Sequence, residues 1–185
     1  MEAPFLVGEK VYLRPLGEGD LDRCWRWIND PEVRRYLGAW RPMSREQEQE
    51  WLRNVYTSPN NVQLAIVLRE GNRHIGNLGL HGINWRSGSS ELGILIGEPE
   101  LWGWGYGPEA IRLLLAYAFD TLRLNRVELR VHAYNTRAIR AYEKSGFREE
   151  GRLRAAHFLS GRYHDTLVMA LLASEWHQRA RDEQS

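Results

Sequence analysis

Ser90 to Leu122, SELGILIGEPELWGWGYGPEAIRLLLAYAFDTL, contains the turn that decides how the rest of the chain is read. Leu92, Ile94, Leu95 and Ile96 form an apolar run of strand length and β-branched content. A glycine-dense turn follows, with Gly103, Gly105 and Gly107 on alternate positions. Pro108 and Glu109 then open a helix whose apolar positions Ile111, Leu114, Leu115, Ala118, Phe119 and Leu122 recur at helical spacing. Proline suits the first helical position, where its missing N–H is not needed, and an acid there complements the helix dipole. A junction of strand, glycine loop and helix start turns unpaired backbone N–H groups outward, an arrangement that suits a phosphate or diphosphate.

Three glycines alone have other readings. The simplest is a tight turn that needs permissive backbone angles. A P-loop is excluded because no Gly-Lys-Ser/Thr follows. A dinucleotide fingerprint needs G-x-G-x-x-G directly after the strand, whereas here G-x-G-x-G is reached through Glu98 to Trp102. Glu128 lies about where a ribose-binding acid would fall, but the repeated βαβ units of such a fold are missing.

A second constellation lies one helix and one strand further on, in NTRAIRAYEKSGF, Asn135 to Phe147. On a helix Asn135, Ala138 and Tyr142 share one face, since seven residues are close to two turns. Taken singly, Asn135 is a helix cap and Tyr142 a half-buried packing residue. Their joint occurrence with the glycine turn points to one site.

Outward from these two stretches, Val11-Tyr12-Leu13 is a short strand closed by Arg14-Pro15. Asp20 caps a helix through Leu21, Cys24, Trp25 and Ile28 that ends before Asn29-Asp30-Pro31. Residues 31–41 form a short helical turn and loop, and Ser44 with Gln47 makes a capping box for a helix through Trp51, Leu52 and Val55. Gln63 to Leu68 and His74 to Ile83 read as strands around a Glu70-Gly71-Asn72 turn, and Arg126 to His132 alternates as another. Asn135 to Ser145 is helical and stopped by Gly146. Strands at Phe147 to Leu159 and Tyr163 to Leu171 meet at Ser160-Gly161. The expected order is β-αα-βββ-α-β-α-ββ: one α/β domain over residues 1–173 with a mixed sheet, and a polar tail, 174–185, that frays.

Composition bounds the function. The 185 residues suffice for one domain with a real core, and 43% hydrophobic with 26% charged residues is ordinary for a soluble globular protein. A net charge of +1 gives no general attraction to nucleic acid or membrane. Cys24 is the lone cysteine, so no internal disulfide forms, and a reducing compartment fits. No apolar run approaches the roughly 20 residues needed to span a bilayer, and MEAPFLVGEK lacks a signal-peptide pattern. A cytoplasmic protein is expected. The six histidines show no pair at ligand spacing, and with one cysteine no metal site is expected. Of eight tryptophans, Trp40 in a polar loop is the one best placed for a binding surface.

The two motifs together resemble the cofactor motifs of the GNAT superfamily of N-acetyltransferases. The first, Gln/Arg-x-x-Gly-x-Gly/Ala, is matched by Trp102, Gly103, Trp104, Gly105, Tyr106 and Gly107, with Trp102 departing from the usual Gln/Arg. The second, Asn-x-x-Ala-x-x-x-Tyr-x-x-x-Gly-Phe, is matched at Asn135, Ala138, Tyr142, Gly146 and Phe147. The element order is also the GNAT order. Asn29-Asp30-Pro31-Glu32-Val33, the Trp102–Ala110 stretch and Gly161-Arg162-Tyr163-His164-Asp165 leading to Met169 are similar to the RimJ/RimL-like branch. That branch acetylates protein N-termini, polyamines, aminoglycosides and amino sugars.

The resemblance implies a splayed strand pair and acetyl-CoA as cosubstrate, without a metal. Its pantetheine arm would bond the strand backbone at Leu95, Ile96 and Gly97. Its diphosphate would rest on the Trp104, Gly105, Tyr106 and Gly107 N–H groups, beside Gly103, Pro108, Asn135 and Ala138. An amine attacks the thioester directly. Tyr142 is the expected acid, since a neutral phenol of pKa about 10 can protonate a thiolate whose conjugate acid is near 8.5. Glu91 is the candidate base, acting through water, or else a surface glutamate. Tyr36, Trp40, Arg41 and His81 are candidates for acceptor contacts. The acceptor is a small molecule or peptide N-terminus, the protein a monomer or homodimer. The alternatives are a non-catalytic acyl-CoA-binding module on the same fold and an enzyme for a larger acyl group.

Overall fold

The computed structural model describes residues 3–38 and 40–182. The chain opens with a two-residue strand β1 (Leu6–Val7), too short to leave a periodic trace in the sequence, and β2 (Val11–Pro15). Helices α1 (Leu21–Asn29), α2 (Pro31–Arg34) and α3 (Arg45–Asn54) follow. The Ser44 hydroxyl accepts from the Gln47 N–H at 3.2 Å, and Gln47 accepts from the Ser44 N–H at 2.9 Å, so the expected capping box starts α3. Strands β3 (Val62–Leu68), β4 (His74–Asn84) and β5 (Ser89–Ile96) lead into α4 (Tyr106–Ala116), whose last turn widens to a π-helix over Tyr117–Thr121. Then come β6 (Arg126–His132), α5 (Thr136–Ser145), β7 (Arg148–Leu159), β8 (Arg162–Leu172) and α6 (Ala173–Asp182).

The strands form one sheet in the order β1-β2-β3-β4-β5-β6-β8-β7. Every pairing is antiparallel except β5 with β6, which are parallel and matched only at Ser89–Arg126, Ser90–Val127 and Glu91–Glu128. Beyond that rung β5 stays paired with β4 to Ile96, and β6 with β8 to His132. The sheet therefore splits into a V between Leu92–Ile96 and Leu129–His132. This is the expected splayed pair in a mixed, mostly antiparallel α/β fold.

Strand alternation gives the sheet two apolar faces. Val11, Leu13, Leu92, Val127, Leu129 and Val131 pack with α4 residues such as Ile111, Leu114 and Leu115 and with Tyr142 of α5. Tyr12, Ala65 and Val67 pack on the other face with Leu21, Cys24 and Trp27 of α1, Val33 of α2 and Leu52 of α3.

Four expectations change. Asp20 does not cap α1 through its side chain; it is 3% exposed and takes two hydrogen bonds from Arg14, at 2.7 and 2.8 Å, and one from the Gly17 N–H at 2.9 Å. A buried carboxylate beside a buried guanidinium is worth more as an ion pair than as a cap. Helix α4 begins at Tyr106, so Pro108 is its third residue, still in the first turn where no intrahelical N–H is required. Glu109 serves the hairpin more than the dipole: its Oε1 accepts from the Lys10 and Val11 N–H groups at 2.9 and 3.2 Å, pinning the β1–β2 turn to α4. Finally, residues 174–182 of the expected frayed tail are helical, because Trp176 anchors α6 on Phe119 with ring centroids 6.0 Å apart.

Candidate active site

The V opens into a cavity of about 620 Å³, within the range of small-ligand sites. One wall is β5. The Gly97 N–H donates to the Ile75 carbonyl of β4 at 2.9 Å, so the alternation of a strand turns the Gly97 and Leu95 backbone groups toward β4. The groups of Leu92, Ile94 and Ile96 face the V instead. Of the three expected pantetheine positions, only Ile96 thus offers its backbone to the slot, and its carbonyl accepts from Trp102 Nε1 at 2.8 Å. Gly97 is a packing glycine: a Cβ there would lie 2.0 Å from the buried Trp27 ring.

The floor of the cavity is the glycine turn. Gly103 and Gly105 have φ of +86° and +89°, a left-handed backbone that glycine adopts without strain. Gly105 caps α4 with no side-chain bond, which leaves the first N–H groups of the helix pointing at the cavity. Gly103, Gly105, Tyr106, Gly107 and Pro108 all line it. Trp104 does not: its ring is 64% exposed and bonds back to the Glu100 carbonyl at 3.1 Å. Trp102, the letter that departs from the resembled motif, lines the cavity edge-on to Tyr36, centroids 5.7 Å apart, with the Arg137 guanidinium 3.7 Å over its ring.

The opposite wall is α5. Asn135 is its cap, accepting from the Ala138 N–H at 3.2 Å, so the modest reading of this residue holds while Asn135 and Ala138 still line the cavity. Tyr142 is 7% exposed, packed edge-on to Phe147, and lines the cavity, with no hydrogen-bond partner for its hydroxyl among the described residues. Burial pushes its pKa up to about 12, so the phenol stays protonated at any physiological pH.

Glu91 reaches the cavity from the other sheet face, since it alternates with Leu92. It pairs across β4 with His81, whose ring lies over Gly93; a Cβ on Gly93 would sit 3.1 Å from His81 Nε2. Burial holds the His81 pKa below its ordinary value against the opposing charge of Glu91. His81 does not line the cavity itself. Of the remaining acceptor candidates, Tyr36 lines the cavity, whereas Trp40 and Arg41 do not. Trp40 is 76% exposed, with the Arg41 guanidinium 4.3 Å over its ring, so the two satisfy each other outside the V.

One cluster was beyond sequence reasoning. Sheet register sets His157 opposite His164, and His132 stacks on His157 with centroids 3.8 Å apart; Tyr134 edges onto His164 at 4.8 Å. The spacings in the sequence carry no trace of this, because three strands bring the rings together. Stacked rings do not converge on a point, and among the described residues no group of three or more His, Cys, Asp or Glu is arranged to hold a metal. No described helix is long and apolar enough to cross a membrane.

Comparison with known proteins gives the same picture. The family model for the acetyltransferase (GNAT) domain matches residues 10–148. Spermidine N(1)-acetyltransferase of Vibrio cholerae is 32% identical over 174 residues, 94% of this chain and 99% of that one. The putative ribosomal N-acetyltransferase YdaF of Bacillus subtilis is 31% identical over 179 residues, 92% of this chain and 95% of that one. A crystal structure of the Vibrio cholerae spermidine N-acetyltransferase with CoA and spermine superposes with a TM-score of 0.84 at 29% identity, covering 92% of this chain and 99% of that chain.

Proposed function

Because the chain belongs to the GNAT family and is an acetyl-CoA-dependent N-acetyltransferase, we propose that it moves the acetyl group directly onto a primary amine held on the Glu91 side of the V. The observation that carries this reading is the placement of Glu91 and Tyr142 in one cavity from opposite faces of the sheet. The residues present fit the cosubstrate. The glycine turn offers uncapped N–H groups, β5 has no β6 partner past Glu91 and only its Ile96 carbonyl is taken, by Trp102, and the Tyr142 hydroxyl has no partner among the described residues.

Acetyl-CoA supplies a thioester carbonyl for a nucleophile to attack. The amine nitrogen forms the new C–N bond from the Glu91 face, and the C–S bond breaks toward Tyr142. Glu91 takes the proton the amine loses, through water, and Tyr142 gives its proton to the departing sulfur. A carboxylate oxygen can accept a proton relayed by water, which suits the first role, and a phenol kept neutral by burial suits the second.

The acceptor is a primary amine of one of four kinds: a protein N-terminus, a polyamine, an aminoglycoside or an amino sugar. The spermidine and ribosomal acetyltransferase relatives support the first two. A panel of these amines with acetyl-CoA, read as CoA release, is the test; turnover with at least one is expected. Tight CoA binding without release on any amine would instead make this a binding module. Succinyl-CoA in parallel should be a poorer donor; a preference for it would overturn the acetyl assignment.

A further inference from the structure

Helix α5 carries a basic stripe that the reaction above does not use. Arg137, Arg140 and Lys144 fall at i, i+3 and i+7, and all three line the cavity. None has a carboxylate within ion-pair distance among the described residues, whereas Arg26, Arg73, Arg126 and Arg148 each do. Arg140 is turned back along its own helix, its Nε donating to the Thr136 carbonyl at 3.3 Å. Arg137 is different. It leaves α5 to stack 3.7 Å over Trp102, the residue that precedes the left-handed Gly103, and lies 5.2 Å from the Tyr36 ring.

Trp102 is a platform held at two points. Its Nε1 is tied to the Ile96 carbonyl at 2.8 Å and its ring is edge-on to Tyr36. A guanidinium held over an indole face keeps its N–H donors available at the rim of the ring. That rim is the edge of the glycine turn. Lys10, also near the turn, donates to the Trp104 carbonyl at 3.4 Å. Backbone N–H groups supply only partial charge, and a diphosphate brought into an apolar cleft calls for a full cation with forked donors.

We infer that Arg137, positioned by Trp102, is the diphosphate-binding cation of the cosubstrate site. This rests on the acetyl-CoA reading above. The stack holds the guanidinium ready before the ligand arrives, so binding costs less ordering of a long side chain.

The test is calorimetric binding of CoA, dephospho-CoA and pantetheine to the wild type and to Arg137→Ala, Arg137→Lys and Trp102→Leu. Wild-type protein that binds none of the three would refute the acetyl-CoA reading itself, which separates the two failures. With wild-type binding in place, Arg137→Ala should weaken CoA and dephospho-CoA by the same factor, about tenfold or more, and leave pantetheine unchanged. Arg137→Lys should recover only part, because an ammonium neither stacks nor forks. Trp102→Leu should weaken CoA, and the double variant should be little worse than either single one. Unchanged CoA affinity in Arg137→Ala overturns the inference. So does a loss confined to CoA, which would assign Arg137 to the 3′-phosphate, or an equal loss with pantetheine, which would make its role structural.

Discussion

Glu91 and Glu128 form the last rung of the parallel pairing between β5 and β6, and the sheet parts immediately beyond them. Two like charges side by side destabilise a rung. Here Arg126 relieves it by bonding Glu128 at 3.0 Å, leaving Glu91 with no ion pair among the described residues. The split in the sheet and an uncommitted carboxylate thus occur at one place. Across the slot stands Tyr142, neutral and buried.

Tyr142→Phe should keep the fold, since the ring and its contact with Phe147 remain. It removes only the hydroxyl proposed above as the acid. Steady-state kinetics should show kcat lower by about 100-fold, the scale of general-acid assistance, with KM for acetyl-CoA little changed. Because the phenol is pushed up to about 12, the wild-type profile should show no loss of activity from Tyr142 ionisation up to pH 10. Normal turnover in the variant would remove it from the reaction.

Most of the fold was legible because it rests on local signals. The capping box at Ser44, the Gly146 stop and the alternation in β6 are each written in adjacent residues. The glycine turn and the Asn135–Tyr142 helix, read together from the sequence, line one cavity. What failed depends on distant partners. Asp20 looks like a cap until Arg14 is placed beside it, and Gly97 looks like a ligand contact until Trp27 fills the space above it. Trp102, in the turn before α4, fitted no motif because its partner Arg137 comes from α5. The histidine stack needs three strands in register.

Gly97→Ala separates packing from binding. An added methyl would meet the Trp27 ring at 2.0 Å, and Trp27 is 1% exposed with Nε1 tied to Glu98 at 3.1 Å, so it cannot retreat. Overpacking of this kind costs about 1–3 kcal/mol, a fall of roughly 3–10 °C in melting temperature for a chain this long. CoA affinity of the folded protein should stay within about twofold, below the loss of even one neutral hydrogen bond. A wild-type melt combined with weakened CoA binding would restore Gly97 to the cosubstrate site.

Asp20→Asn tests the buried ion pair. Burial raises the Asp20 pKa, but hydrogen bonds from Arg14, His74 and Gly17 outweigh it and hold the carboxyl well below its usual range. A depressed folded pKa stabilises the fold above the unfolded value of about 3.9 and is lost as pH falls below it. The variant should therefore be less stable at pH 7 by about 3–5 kcal/mol, the cost of stranding a buried partner charge. Urea unfolding at pH 7, 5 and 3 should show the gap unchanged between the first two and narrowing at the third. An equal gap at all three would mean that charge is not the cause.

A second acid response should come from His132. Burial lowers its pKa to about 4, and the charges of His157 and His164 add to the shift. The unfolded chain then takes the proton first, so stability should decline as pH falls from 6.5 toward 4, above the window of Asp20. His132→Phe keeps a flat ring on His157 and cannot titrate. Its stability curve should be flatter between those two values; a curve with the wild-type slope would exclude His132 as the source.

Glu91→Gln distinguishes a base from a surface carboxylate, and the acceptor provides the control. An α-amine of pKa about 7.7–8.0 is substantially neutral at pH 8, while an alkylamine near 10.4 is almost wholly charged and must lose a proton before attack. The variant, isosteric and still paired with His81 across the strands, should lower kcat/KM for the more basic amine by about 100-fold. For an α-amine acceptor the loss should be only a few-fold, because little deprotonation is left to assist. Measuring both at pH 8 and again at pH 9.5 should show the deficit for the basic amine shrinking at the higher pH, as solvent takes over the work. An identical loss for both amines, or one that does not move with pH, would mean that Glu91 orients the acceptor and takes no proton.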